Sequence, residues 1–417
     1  MGENLKYILR CINCEREYSE DSNTFTCPEC GPFRGTLDVV FPLDDLKARF
    51  KSLQLIHRCK PVYESFEDIF PFRSKSSLPP IPVGQTPQFK SAKLAKTAGM
   101  REVWIKDDGR NPSASFKDRA SAVAIAMALE AGAKVIATAS TGNAASSLAT
   151  LAASTSLRTI VFVPRNAPRP KMIQIAIHGA DIIQLDSDYD RAFDLCQEAC
   201  AKFGWYNRNT AVNPFTGEGK KSAALEIARD LGHGPDAVIC PVGDGCIMGG
   251  LYKGFSDLLG LGLISKLPRL YGIQAEGAGP VVRAFETGAD LVRLDDVSTI
   301  ADSISVGYPR DGVKALRAVG MTNGAMIAVS DQEILSAQKT LAAKGGIFAE
   351  PAASASYAGL LKLTESGQID RGETVVVLLT GHGLKDIETA EKNVSIDIAP
   401  ISPDIETVER KIRNLLK

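Results

Sequence analysis

Residues Asn111-Pro112-Ser113-Ala114-Ser115-Phe116-Lys117-Asp118 put a lysine directly after a turn of small residues and directly before a helical run. A primary amine so placed is able to carry a carbonyl cofactor as a Schiff base. Phe116, Ala120, Val123, Ala124 and Met127 share one stripe of the run while Asp118, Arg119 and Glu130 fall elsewhere, which predicts an amphipathic helix with Lys117 in its first turn. Most helix-start lysines are simply solvated, so the chemistry depends on what the rest of the chain brings near this one.

Three apolar runs end in loops of glycine and small polar residues, the place where open α/β sheets bind ligands. After Lys134 to Thr138 comes Ala139-Ser140-Thr141-Gly142-Asn143, whose hydroxyls and helix-start amides suit a carboxylate. After Ala237 to Val242 comes Gly243-Asp244-Gly245-Cys246-Ile247, where glycines let the backbone close around a phosphate ahead of a helix. This loop lacks the Gly-Lys-Ser/Thr ending of a nucleotide P-loop and is not a dinucleotide fingerprint. After Glu373 to Leu379 comes Thr380-Gly381-His382-Gly383, which offers a neutral hydroxyl to a heterocyclic nitrogen; His382 is either a general base or, the reading favoured for a histidine between glycines, a turn or packing residue.

Near the amino terminus, Cys11-Ile12-Asn13-Cys14 and Cys27-Pro28-Glu29-Cys30 are two Cys-x-x-Cys knuckles at a spacing that closes a tetrahedron around zinc. With no open coordination position the zinc is structural, stabilising a segment too short to have its own core. Residues 1–40 have no basic stripe with stacking aromatics, so nucleic-acid binding by the ribbon is not expected. Cys59, Cys196, Cys200, Cys240 and Cys246 read as reduced core cysteines.

A chain of 417 residues, 44% hydrophobic, buries more than one core. Its 48 Lys+Arg against 49 Asp+Glu provide no field for nucleic acid or an anionic membrane, which leaves a small molecule as the expected partner. No signal-peptide core and no run long enough to span a bilayer are found, so a cytoplasmic protein is expected.

Short strands at 102–106, 134–138, 158–163, 181–185, 237–242, 270–275 and 373–379 alternate with helical patterns, the signature of an α/β fold with parallel sheets. Helices are predicted at Asp188 to Phe203, capped by Ser187, and at Glu218 to Leu231, ended by Gly232. Prolines 71, 79, 80, 82 and 87 mark a connector. The expected division is a zinc ribbon at 1–40, a larger doubly wound domain from 41–94 and 206–400, a smaller one at 95–205, and a C-terminal helix at 401–417 with Ile405, Val408, Ile412 and Leu415 on one face.

A poised lysine, a carboxylate cradle, a phosphate cradle and a strand-end hydroxyl together match the needs of pyridoxal phosphate. Asn111 to Asp118, Ser140 to Asn143, Glu350-Pro351-Ala352 and Thr380-Gly381 resemble the motifs of the fold type II pyridoxal phosphate enzymes, most closely the threonine synthases, over nearly the whole chain. The resemblance implies that the cofactor lies in the cleft between the two domains and that the protein is a homodimer. It makes Lys117 the Schiff-base lysine and puts Asn143 beside the cofactor's ring oxygen. It also implies Gly243, Asp244, Gly245, Cys246 and Ile247 around the phosphate, Thr380 at the pyridine nitrogen, and Ser140, Thr141 and Gly142, next to Asn143, on the substrate carboxylate. A hydroxyl at that nitrogen makes the ring a weaker electron sink than an aspartate partner does, which suits elimination and replacement chemistry better than transamination.

The implied reaction is O-phospho-L-homoserine plus water to L-threonine plus phosphate. Threonine synthases usually carry an Asn-Pro-x-Arg-x-x-Gly-Gln-Lys-Thr segment whose arginine meets the substrate phosphate, whereas Asn213 to Ser222 here has Thr216 in that place, and Asp244 stands where the family often has asparagine. An ionic hydrogen bond to phosphate is worth about 1.5 to 3 kcal/mol, so substrate affinity would fall about a hundredfold unless another cation substitutes. Lys220 and Lys221 are the candidates. The alternative is a paralogous amino-acid lyase, dehydratase or β-replacement enzyme with a different leaving group; behind it stands a non-catalytic protein that binds the cofactor or recruits through its ribbon.

Overall fold

Val375–Leu379 is apolar throughout and buried on both faces, as a strand at the centre of a parallel sheet must be. In the computed structural model, which describes residues 6–22, 24–50, 60–140, 142–165, 167, 169–394 and 399–416, it belongs to a six-stranded sheet. The order is Ala325–Val329, Arg269–Ala275, Ala237–Pro241, Val375–Leu379, Val103–Asp107 and Gln88–Lys90, parallel except for the last strand. A second, four-stranded parallel sheet runs Asp181–Leu185, Arg158–Pro164, Val135–Ala139 and Tyr206–Asn207. The α/β class and parallel sheets expected from the sequence are present.

Two strands lie in the other sheet from the one their sequence position suggested. Val103–Asp107, within the 95–205 segment, pairs with Val375–Leu379 in the larger sheet, because its alternate side chains complete that core. Tyr206–Asn207, expected in the larger domain, pairs with Ile136 and Ala137 in the smaller sheet. The antiparallel strand Gln88–Lys90 closes the proline-rich connector.

At the amino terminus Glu17–Ser19, Ile8–Cys11 and Leu37–Val40 form a three-stranded antiparallel sheet. The Sγ atoms of Cys11, Cys14, Cys27 and Cys30 lie within 4.8 Å of one another. Asp38 faces away from the ribbon's interior and pairs with Lys314, at 3.1 Å, and with Arg317. Of the other cysteines, Cys196, Cys200, Cys240 and Cys246 are buried, and Cys59 lies outside the described residues.

The helix Lys117–Glu130 packs on Phe215–Leu231 and Asn143–Ala152 and is buried around most of its circumference rather than amphipathic. Asp118 and Arg119 are both inaccessible to solvent. Tyr189–Phe203 is capped by Asp188, whose carboxylate accepts the Arg191 N–H at 2.8 Å, and not by Ser187. Phe215–Leu231 starts before Glu218 because the Asn213 side chain accepts the Phe215 N–H at 2.9 Å. Met1–Lys385 forms one compact unit and Asp386–Lys417 a second, which holds the helices Ile387–Asn393 and Ile405–Leu415, the latter with Ile405, Ile412 and Leu415 exposed. Among the described residues no helix is long and apolar enough to cross a membrane.

A buried ionic cluster joins these elements. Arg119 donates to Asp108 through Nε at 2.5 Å and Nη2 at 2.9 Å, and to Glu226 at 2.8 and 2.9 Å. Lys106 reaches Glu226 at 2.7 Å, Thr86 donates to Asp108 at 2.7 Å, and the Gln85 N–H donates to Glu226 at 2.8 Å. Burial alone would push the Glu226 carboxyl up, but Arg119 and Lys106 hold it well below the usual carboxylate range. Removing one member strands the others in a site that solvent does not reach. Arg119→Met is expected to lower stability by about 3–5 kcal/mol in urea unfolding, while Arg158→Ala, which breaks the exposed pair with Asp181, leaves the midpoint nearly unchanged; equal midpoints for the two variants would contradict the assignment.

Candidate active site

The turn that carries Lys117 is clamped to the end of Val375–Leu379. The Phe116 N–H donates to the Thr380 carbonyl at 2.8 Å, and the His382 N–H donates to the Ala114 carbonyl at 3.1 Å. Asp118 accepts the Ser113 hydroxyl at 2.6 Å and the Ser113 N–H at 2.7 Å, closing the turn from the helix side. Within it Ala114 adopts a left-handed φ of 62°. Gly381 is required where it stands, because a Cβ there would meet the Glu350 carboxylate at 2.3 Å.

Lys117, the first residue of its helix, is partly exposed to a cavity of about 650 Å³ whose wall includes Asn143, Thr380, Glu350 and the segment from Gly243 to Ile247. Burial, reinforced by the charge of Lys220, lowers its pKa from the ordinary lysine value. The amine is therefore more readily neutral than a surface lysine.

Asn143 begins the helix Asn143–Ala152, where the sequence suggested a loop. Its Nδ2 donates to both carboxylate oxygens of Glu350 at 3.1 Å and to the Ser303 hydroxyl at 3.1 Å, so the amide is fixed in orientation. Burial raises the Glu350 pKa against the opposing pull of Asn143, Lys385 and Lys117. Ser140 and Gly142 line the same cavity, and the Ser140 hydroxyl accepts the Gly142 N–H at 3.2 Å. Thr141 lies outside the described residues.

Gly243, Asp244 and Gly245 lead into the helix Cys246–Gly260, so Cys246 and Ile247 form its first turn. Gly245 has φ of 96°, and a Cβ there would strike the Asp311 carbonyl at 2.4 Å. No side chain caps this helix, and its first-turn N–H groups have no intrahelical partners. Backbone donors, helix dipole and absence of side-chain bulk make a cradle that fits a phosphate. The Asp244 carboxylate accepts the Arg310 N–H at 3.3 Å, and its pKa is raised by burial against the charge of Arg310. The Cys246 thiol is pushed up to about 12 by burial and stays protonated.

Other sequence candidates have different partners. Lys221 is engaged by Glu218 at 2.5 Å, by Asp257 at 3.0 Å and by the Ile69 carbonyl, so it is not a replacement cation for the cavity. The Thr216 hydroxyl donates to the Asn213 carbonyl at 2.9 Å. His382 accepts the Leu384 N–H at 3.1 Å through Nδ1 and packs edge-on against Phe348, a turn and packing role. Arg208, Ser303 and Arg310, which the sequence did not single out, line the cavity. Ser303 and Arg310 lie in a stretch without periodicity, and Arg208 follows a two-residue strand; only proximity in the fold identifies them.

One cavity thus presents a lysine of lowered pKa, a phosphate cradle, an oriented amide and a strand-end hydroxyl, a donor set that fits pyridoxal phosphate. Residues 81–381 match the family described as pyridoxal-phosphate dependent enzyme. The threonine synthase of Methanocaldococcus jannaschii is 38% identical, with 98% of this chain and 100% of that one covered. That of Methanosarcina acetivorans is 37% identical over 92% of this chain and 93% of its own. In fold, the processed form of threonine deaminase isoform 2 from Solanum lycopersicum superposes with a TM-score of 0.66 at 22% identity, over 82% of this chain and 86% of that one. The chain belongs to the pyridoxal-phosphate-dependent enzymes and, within them, is a homologue of the threonine synthases.

Proposed function

We propose that the cavity is the active site of a threonine synthase that converts O-phospho-L-homoserine and water into L-threonine and phosphate, with the cofactor attached at Lys117. The observation that carries this reading is the convergence of Lys117, Asn143, Thr380 and the Gly243 to Ile247 cradle on one cavity, in a chain similar to threonine synthases along its whole length.

When bound, pyridoxal phosphate supplies an electron-withdrawing ring that stabilises negative charge on the substrate's carbon next to the amino group. The residues of the chain hold the parts and move the protons. Lys117, of lowered pKa, takes and returns protons at the substrate carbons. The Thr380 hydroxyl would meet the pyridine nitrogen without giving it a full charge, and Asn143, fixed by Glu350, would hold the ring oxygen. The N–H groups from Gly243 to Ile247 would hold the cofactor phosphate. Ser140 and Gly142, which line the cavity just before the Asn143 helix, would receive the substrate carboxylate. Ion pairs from Asp190 to Arg310, at 2.7 Å, and from Lys171 to Asp302 join elements of the two sheets beside the cavity, and support closure of the smaller domain over the substrate. A second reading, an amino-acid lyase, dehydratase or β-replacement enzyme with another leaving group, is favoured by Thr216, whose hydroxyl is turned to its own backbone, and by Asp244.

We also infer that Cys11, Cys14, Cys27 and Cys30 hold a structural zinc ion. Four sulfur ligands fill a tetrahedral site. The Tyr18 hydroxyl donates to Cys27 Sγ at 3.1 Å and the Asn13 amide to Cys30 Sγ at 3.2 Å, the outer hydrogen bonds that suit metal-bound thiolates.

Purified enzyme is expected to release phosphate and threonine in equal amounts from O-phospho-L-homoserine. Lys117→Ala is expected to lose this activity by roughly a thousandfold or more together with the attached-cofactor absorbance; an active variant, or a wild type inert toward this substrate, would remove the proposal. Burial disfavours the ammonium form of Lys117, so the rate of cofactor attachment to apoenzyme should rise with pH around a midpoint below 10.5, and a midpoint at or above that value contradicts the site's electrostatics. Elemental analysis should find one zinc per chain in wild type and in Cys240→Ser but not in Cys14→Ser; retention of zinc by Cys14→Ser would count against the four-sulfur site.

A further inference from the structure

Two cations are buried beside this cavity with donors left over. Arg208 and Lys220 are at most 1% exposed. Arg208 spends Nη2 on the Ser121 hydroxyl at 3.2 Å, and its Nε and Nη1 have no partner among the described residues. Lys220 Nζ has none either. Other fully buried cations among the described residues have carboxylate partners: Arg119 has Asp108 and Glu226, Lys106 has Glu226, and Lys221 has Glu218 and Asp257.

Their position is specific. Arg208 lines the cavity and reaches Ser121, one turn along the helix from Lys117. Lys220 sits one turn beyond Thr216 on the helix Phe215–Leu231 and packs against Gly250, so close that a Cβ there would lie 2.6 Å from its own. It therefore lies between the Lys117 helix and the helix that begins at Cys246. After burial, the charge of Lys220 has the largest influence on Lys117, so the two amines are close enough to interact. Burial lowers the pKa of both, that of Arg208 to about 10, as expected of cations that lack an anion. The cradle from Gly243 to Ile247 already offers backbone donors and a helix N-terminus to one phosphate, so two full cations exceed what the cofactor needs.

We propose that Lys220 and Arg208 are specificity-determining residues that receive the phosphate of the substrate's leaving group, in place of a cation at Thr216. The assignment rests on the threonine synthase reading for the identity of the substrate, and on the orphaned donors for the chemistry of the group, a phosphate monoester dianion. Lys221, next in sequence, is excluded by its own ion pairs.

The test compares wild type, Lys220→Met, Arg208→Met and Lys220→Arg as purified holoenzymes. Three quantities are measured: KM and kcat for O-phospho-L-homoserine, the dissociation constant of inorganic phosphate from its effect on cofactor absorption, and cofactor affinity by titration of apoenzyme. Each methionine variant should raise KM and the inorganic phosphate dissociation constant by about 10- to 100-fold, with cofactor affinity held within about twofold and much of the loss regained in Lys220→Arg. Loss of cofactor affinity with unchanged phosphate binding would assign the cations to the cofactor and overturn the proposal, as would no change in either. Should Arg208→Met fail to fold by circular dichroism, Lys220→Met and Lys220→Arg decide. A wild type that binds inorganic phosphate in a Lys220-dependent way yet does not turn over O-phospho-L-homoserine would overturn the functional reading and leave the anion site standing.

Discussion

The ionic cluster around Arg119 sets the position of everything that acts in the cavity. Arg119 follows Lys117 by two residues on one helix, and its guanidinium is satisfied only when Asp108, just past the strand Val103–Asp107, and Glu226, on the neighbouring helix, are both in place. Each ion alone would cost several kcal/mol to bury. The arrangement is therefore close to all-or-none, and it fixes the start of the Lys117 helix relative to the larger sheet. Hydrogen bonds from Phe116 to Thr380 and from His382 to Ala114 then set the remaining freedom of the turn.

Around the proposed cofactor position the donors are mostly neutral: backbone N–H groups, the Thr380 hydroxyl and the Asn143 amide. Two of the acidic groups nearby, Asp244 and Glu350, have pKa values raised by burial. Cationic side chains beside the cavity include Lys117, Arg208 and Lys220, and Arg293 and Arg310, both of which Asp190 engages.

Local signals in the sequence were enough for much of this. The apolar runs gave the strands because parallel strands are buried on both faces, and the Lys117 turn was visible because it is built from contiguous small residues. Ala325–Val329 was not seen: five residues of alternating partial burial after Asn323-Gly324 carry too little pattern to separate strand from helix. Arg119, Asp108 and Glu226 read as ordinary charged residues, since nothing local says that a charge is to be paired with one far along the chain. Arg208 was missed and Lys220 could not be told from Lys221 for the same reason. Adjacent residues on a helix point in different directions, and only the packing against Gly250 on one side and the Glu218–Asp257 pair on the other separates them.

The left-handed backbone of Ala114 has a consequence for how the site meets its ligand. A glycine would adopt this φ without strain, whereas alanine costs about 1–2 kcal/mol there. What alanine provides in return is a narrower unfolded ensemble and a turn with few other shapes to visit. The lysine is then delivered in one geometry before any ligand arrives, and little ordering entropy is left to be lost on binding; the cavity is preorganised by a residue that never touches its contents.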